Sequence, residues 1–269
     1  MGWATMEEAI AAFKRGEFVM VMDSDDREDE CDLVLAAENC TAEQLAMMIR
    51  YTTGIVCVVG EQARLEHFGL HPATGNNTDA NATNFYVATD FLPGTTTGVS
   101  AADRATTARA LCDLSHPAEA FSKPGHLFPL CARPGGVIER PGHTESTYDL
   151  CRLAGVTRVG LLAEMMHDDG TMYRGTDSLE FSRRHGIPMI TVPQIIEYRK
   201  AHPLATSPVL AAQEEATAPP PPVTVAPTSA TPPKAPLRPT ATASAGHNSH
   251  VELAAATRGR RPITRSSRL

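Results

Sequence analysis

From position 23 to 32 the chain reads Asp-Ser-Asp-Asp-Arg-Glu-Asp-Glu-Cys-Asp, which is seven carboxylates in ten residues with Arg27 as the one cation. Carboxylates this dense repel one another, so a folded loop of this kind needs compensating positive charge. Arg27 supplies one unit. A divalent ion would supply more, and hard carboxylate oxygens select Mg²⁺ or Mn²⁺. An EF-hand is a poor match, because Arg27 takes a ligand position, Glu28 takes the place of the required Gly, and Val34 that of the closing Glu. The run is therefore either a solvated acidic loop or one part of a cation site that other segments complete.

Three features of the second half could complete it. Lys123-Pro124-Gly125-His126 and Arg140-Pro141-Gly142-His143-Thr144-Glu145 each place a His directly after Pro-Gly, presented from a sharp turn. In the second, His143 and Thr144 lie just before a predicted helix. Free backbone N–H groups there, with Arg140 and the Thr144 hydroxyl beside them, suit a phosphate. The plainer alternative is that Thr144 only caps the helix and His143 is a surface turn residue. The third feature is Glu164, which ends the apolar run 159–163. Partial desolvation there would raise its pKa toward the range useful for proton transfer; a Glu emerging into solvent is the alternative. His67, His71, His116, His167 and His185 fall in polar turns or helix ends and read as structural.

The elements that must position these groups follow from the pattern. Apolar runs at 18–22 and 33–37 flank the acidic stretch and read as buried strands. Thr5-x-x-Glu8, Thr41-x-x-Gln44 and Ser100-x-x-Asp103 are capping boxes that open helices over 6–15, to about 52 and to about 114. Further strands are expected at 55–59, 85–89, 126–131, 159–163 and 188–191, and helices at 145–154, 177–185 and 193–200. Residues 66–83 have no periodicity and are rich in Gly, Asn, Thr and His, so they form a loop. Interleaved strands and helices indicate the α/β (α+β) class, a single domain with a mixed sheet covered by helices.

Composition divides the 269 residues in two. Residues 202–269 hold 12 of the 21 prolines and no Trp, Tyr or Phe, with a net charge of +4; residues 1–201 carry −11. The first is expected to be a Pro/Ala/Thr-rich disordered tail and the second one folded domain. An acidic body argues against nucleic-acid binding, and no apolar run approaches membrane-spanning length. Six Cys without Cys-x-x-Cys spacing, and no secretory signal, point to reduced thiols and a cytoplasmic protein.

Taken together and in order, the acidic run with Leu33, Gly54-Ile-Val-Cys57, Thr96-Thr-Gly-Val-Ser-Ala-Ala-Asp-Arg104, Pro124-Gly-His-Leu-Phe-Pro-Leu130, Gly142-His-Thr-Glu145 and Ala163-Glu164 resemble the 3,4-dihydroxy-2-butanone 4-phosphate synthases of riboflavin biosynthesis. The resemblance spans about residues 5–200. It implies a Mg²⁺-dependent lyase (Mn²⁺ being the other candidate) that converts D-ribulose 5-phosphate, a sugar phosphate, to 3,4-dihydroxy-2-butanone 4-phosphate and formate. It also implies a homodimer with active sites near the subunit interface. On the matching positions, Glu28 and His143 would hold metal. Arg27, Glu28, Asp32, Arg140, Pro141, Gly142, His143, Thr144 and Glu164 would hold substrate, with Arg140 and Thr144 near its phosphate. His126 and Glu164 would move protons, and Asp23 and Glu30 would line the same pocket. The main rival is a non-catalytic relative that kept the pocket to bind a sugar phosphate. Ser24, Asp29, Cys31 and Pro141 depart from the family's usual acid, Asn, Gly and small residue. If the position of Cys31 needs a positive φ, its side chain would strain the loop and displace Asp32.

Overall fold

The computed structural model describes residues 2–204, which lie within one compact unit. The segment expected to be a disordered tail falls, from residue 205 on, outside the described residues. Seven strands form one mixed sheet: β1 (Val19–Met22), β2 (Cys31–Ala36), β3 (Cys57–Gly60), β4 (Thr89–Phe91), β5 (Phe121–Cys131), β6 (Gly160–Glu164) and β7 (Met189–Thr191). Their order is β4-β5-β3-β6-β2-β1-β7. β1 and β2 form an antiparallel pair joined by the acidic loop, and β2 pairs antiparallel with β6, placing Asp32 opposite Glu164.

Successive side chains of a strand point to opposite faces, and here both faces are covered. Met20, Met22, Leu33, Leu35, Leu161 and Ala163 share one core with Leu45 and Met48 of α2 (Ala42–Tyr51) and Ala105 and Ala108 of α4 (Ala101–Ala110). Val19, Val21, Val34, Ala36 and Leu162 face the other core. They pack there with Phe13 of α1 (Met6–Lys14), Leu150 and Cys151 of α5 (His143–Ala154) and Ile195 of α7 (Val192–Ala201). Two-sided burial explains why the central strands are continuous apolar runs rather than alternating ones. Leu33 and Leu35 are fully buried, and truncating either to Ala would cost about 2–5 kcal/mol.

Thr5 and Thr41 form the expected capping boxes, and Ser100 caps α4 through Asp103. Other boundaries move. The helix expected to about 114 ends at Ala110, and a short α3 (Gln62–His67) precedes the predicted loop and takes its first two residues. The strand expected over 85–89 is isolated bridges at Phe85 and Tyr86, with the regular strand β4 starting only at Thr89. β5 starts earlier than expected and runs through Pro124-Gly125. It can do so because β4 crosses closely there: a Cβ at Gly125 would lie 2.1 Å from the Thr89 carbonyl carbon. α5 begins at His143 itself, and α6 (Gly175–His185) follows β6.

Candidate active site

The acidic loop is a tight turn closed by Asp23. Asp23 is buried, and its carboxylate accepts from the Glu30 amide at 2.9 Å, the Glu28 amide at 3.3 Å and Arg27 Nη1 at 2.7 Å. The same Arg27 nitrogen contacts Glu28 Oε2. One non-Gly residue of the loop takes a left-handed φ, Asp29 at 55°, and Asp tolerates that conformation better than most side chains. Cys31 is extended and paired with Met22 in the sheet. The strain foreseen at Cys31 is therefore absent, because the turn's special residue is two positions earlier.

α5 delivers the second group. Gly142 is its N-cap, with no side-chain cap, so Thr144 is not a cap. A Cβ at Gly142 would come within 2.5 Å of Arg140 Nη1 and 3.1 Å of Arg27 Nη2, so a side chain there would push the guanidiniums back from this helix start. His143, in the first turn, is buried and not a surface turn residue. Its Nδ1 lies 3.6 Å from Glu28 Oε2 and 3.7 Å from Asp32 Oδ1. Arg140 donates to Glu145 at 2.5 Å, to the Asn81 carbonyl at 2.9 Å and to Thr83 Oγ1 at 3.0 Å. Asn81 in turn donates to Glu28 Oε1 at 2.6 Å.

These groups line one cavity of about 220 Å³, which Arg27, Glu28, Asp32, Arg140, His143, Thr144 and Glu164 share. Pro141 is exposed and, like Gly142, does not line it. Glu164 is exposed, so the desolvation expected for it at the strand end is not found in the single chain. His126 is half-exposed on β5, two strands from β6, and does not line the cavity. Its Nδ1 meets Asp90 Oδ2 at 2.6 Å and its amide donates to Asp90 Oδ1 at 2.8 Å.

The sequence reading missed Asn81, Thr83 and Asp90. The first two lie in an aperiodic loop, and nothing in the local pattern marks them. Asp90 could have been found as an acid inside an apolar strand.

Charge in the cavity is set by proximity. The His143 imidazole holds the Glu28 carboxyl down at about 2, with Arg27 adding to it against the effect of burial. Burial pushes Asp32 up, opposed by His143. His143 is itself pushed up: burial disfavours its charged form, but the charges of Asp32, Glu28 and Asp23 outweigh that. Asp23, Glu28 and His143 each offer a ligand atom, and these atoms lie within 4.8 Å of one another. Asp32 Oδ1 and His143 Nε2 are buried without a hydrogen-bond partner. Buried polar atoms are normally satisfied, so a carboxylate–imidazole cluster with two orphaned atoms fits a divalent cation.

A mixed α/β sheet with a carboxylate–His cation pocket beside a helix N-terminus flanked by two Arg defines the class: a metal-binding enzyme for a small anionic substrate. A family-wide sequence profile for 3,4-dihydroxy-2-butanone 4-phosphate synthase matches residues 7–198. The 3,4-dihydroxy-2-butanone 4-phosphate synthase of Agrobacterium fabrum is 45% identical over 197 residues, covering 73% of this chain and 92% of that protein. The riboflavin biosynthesis protein RibBA of Aquifex aeolicus is 47% identical over 197 residues, 72% of this chain, and the chain spans about half (48%) of that longer relative. A crystal structure of 3,4-dihydroxy-2-butanone 4-phosphate synthase in complex with two magnesium ions superimposes with a TM-score of 0.72 at 37% identity, over 74% of this chain and 98% of the other. The chain belongs to the 3,4-dihydroxy-2-butanone 4-phosphate synthase family, enzymes of riboflavin biosynthesis. The comparisons support the enzyme and not the non-catalytic sugar-phosphate binder.

Proposed function

We propose that this cavity converts D-ribulose 5-phosphate to L-3,4-dihydroxy-2-butanone 4-phosphate and formate, with Glu28 and His143 as metal ligands. The observation that carries the reading is the cluster of buried Asp23 and His143 with half-buried Glu28, beside buried Asp32, and the two orphaned atoms Asp32 Oδ1 and His143 Nε2. Mg²⁺ or Mn²⁺ bound there would polarise the vicinal oxygens of the sugar and offset the negative charge that enolisation puts on them. The chain's own residues do the rest. Glu28 is ionised at neutral pH and needs no activation to serve as a ligand. Arg140, Thr144 and the uncapped start of α5 take the phosphate, and Gly142 keeps that approach open. Arg27 and Asp32 orient the sugar hydroxyls, and Glu164, at the mouth of the same cavity, moves protons between its carbons and oxygens.

His126 serves the same chemistry from a partner subunit. Two strand spacings, about 10 Å, separate β5 from β6 within one chain, too far for one proton relay. The apolar side chains of Ile55, Phe85, Leu92 and Val99 are exposed, and they belong to the β3, β4 and β5 end of the molecule that carries His126. Such side chains suit a homodimer interface. The Asp90 carboxylate fixes the His126 ring for that role. The catalytic unit of this reading is residues 1–201, and its place is the cytoplasm. No helix of the described residues is long and apolar enough to cross a membrane.

The test is incubation of the protein with uniformly ¹³C-labelled ribulose 5-phosphate and Mg²⁺, following labelled formate by NMR. Formate is expected with metal and none in excess chelator. No formate in metal, or equal formate in chelator, would remove this reading.

A further inference from the structure

We propose that Arg174, which the substrate and metal assignments leave out, is a positioning residue that clamps the acidic loop from behind; this rests on the metal-site reading above. β6 ends at Glu164, and the chain turns back through the Met166–Met172 bridge to reach Arg174, the N-cap of α6. From there Nη1 donates to the Glu28 carbonyl at 2.8 Å and the Asp29 carbonyl at 3.0 Å. The guanidinium also meets the Asp29 carboxylate at 3.3 Å and Glu30 Oε1 at 3.4 Å. One side chain thus holds three consecutive residues of a loop some 145 positions away in sequence.

The division of labour between the two cations of the loop gives these contacts their meaning. Arg27 lies inside and spends its charge on Asp23, which closes the loop, and on Glu28, which would hold metal. Arg174 lies outside and spends its charge on Asp29 and Glu30, which do not line the cavity. It therefore offsets the loop's self-repulsion without occupying a metal ligand. Its carbonyl contacts fix the backbone at Glu28 and at Asp29, the residue with the left-handed φ, and so fix where the Glu28 carboxylate points. A planar guanidinium can hold several acceptors at once, whereas an ammonium is a single point charge. Groups that orient a metal ligand typically cost 10–100-fold in metal affinity or activity when lost.

Arg174→Lys separates the two contributions. Loss of a cation near the site would by itself favour metal binding, so Arg174→Ala mixes opposing effects; Arg174→Lys keeps the charge and loses the fork. The experiment titrates full-length wild type, Arg174→Lys and Arg174→Ala with Mn²⁺, reading free Mn²⁺ by EPR, beside thermal melts and kcat and KM for ribulose 5-phosphate. Arg174→Lys is expected to bind Mn²⁺ about tenfold more weakly, with an unchanged melt and a lower kcat. Wild-type affinity and kcat in Arg174→Lys would overturn the clamp while leaving the metal site standing. A melt lowered in step with affinity would assign Arg174 to general stability instead. Absence of Mn²⁺ binding in the wild type would overturn the site reading and the clamp with it.

Discussion

Asp32 and Glu164 are direct partners across the antiparallel pair of β2 and β6, so two carboxylates face each other on the same side of the sheet. Like charges directly opposite in a sheet destabilise it by roughly 0.2–1 kcal/mol. Burial pushes the Asp32 carboxyl upward, and the nearby Glu164 charge adds to that. A fold optimised for stability alone would not place a second acid there. Glu164→Gln is therefore expected to raise the melting temperature by about 1–3 °C while lowering formate production about 10²–10⁴-fold. Differential scanning calorimetry beside the formate assay checks both. A variant that loses stability along with activity would mark Glu164 as structural.

The strand pair that creates this opposition was legible in the sequence, because two-sided burial writes the apolar runs before and after the acidic loop directly into it. The capping boxes of α1 and α2 were legible for a similar reason, since their partners are three residues apart. The loop that brings Asn81 to Glu28 was not legible, because that contact spans 53 positions and depends on a backbone path with no period. The burial of His143 was missed because Pro-Gly reads as an exposed turn, and only the packing of α5 against the sheet shows otherwise. Of the two readings open for Glu164, partial desolvation or emergence into solvent, the structure shows the second. Glu164 continues a buried strand but emerges at the edge of the cavity, and strand pattern alone cannot locate where cover ends.

The geometry of the acidic loop reverses an expectation about Cys31. Because Cys31 is extended, buried and in register with Met22, restoring Gly there is not a repair. Cys31→Gly should destabilise by about 1–2 kcal/mol, from the freedom Gly gains in the unfolded chain and the buried surface lost. Asp29→Gly, at the left-handed position, should cost less than Cys31→Gly. Urea denaturation of the two variants ranks them, and the reverse order would refute the assignment of the turn.

The thiols should be inert for a stated reason. Burial pushes Cys40 up to about 11 and Cys112 up to about 12. The thiolate is the reactive form, so a raised pKa means little thiolate at pH 8 and a rate that climbs as pH rises toward those values. Cys112 is the one cysteine that is not fully buried. It should alkylate first in the native protein, while Cys31, Cys40 and Cys151 stay unmodified until unfolding. Iodoacetamide labelling across pH, read by peptide mass spectrometry, tests the order.

The family match ends at residue 198, and α7 closes the described helices at Ala201. Chains stopped after Ala201 are therefore expected to fold and to release formate at a rate similar to the full chain. Circular dichroism and the formate assay on the shortened chain check this. Loss of the fold would place residues beyond 201 within the catalytic unit.

The distance between His126 and Glu164 leads to the most discriminating test of the dimer. If the partner subunit's His126 completes each cavity, His126→Ala and Glu164→Gln damage different chains of the same site. Each homodimer alone should be nearly inactive. In a hybrid dimer, the cavity of the His126→Ala chain keeps its own Glu164 and receives an intact His126 from the Glu164→Gln chain, while the other cavity carries both defects. Random exchange of subunits makes half the dimers hybrids, each with one intact site, so the mixture should recover about a quarter of wild-type formate production. Activity that stays at the sum of the two inactive homodimers, with subunit exchange shown by native mass spectrometry, would confine both residues to one chain. A monomer by light scattering that is fully active would remove the shared site altogether.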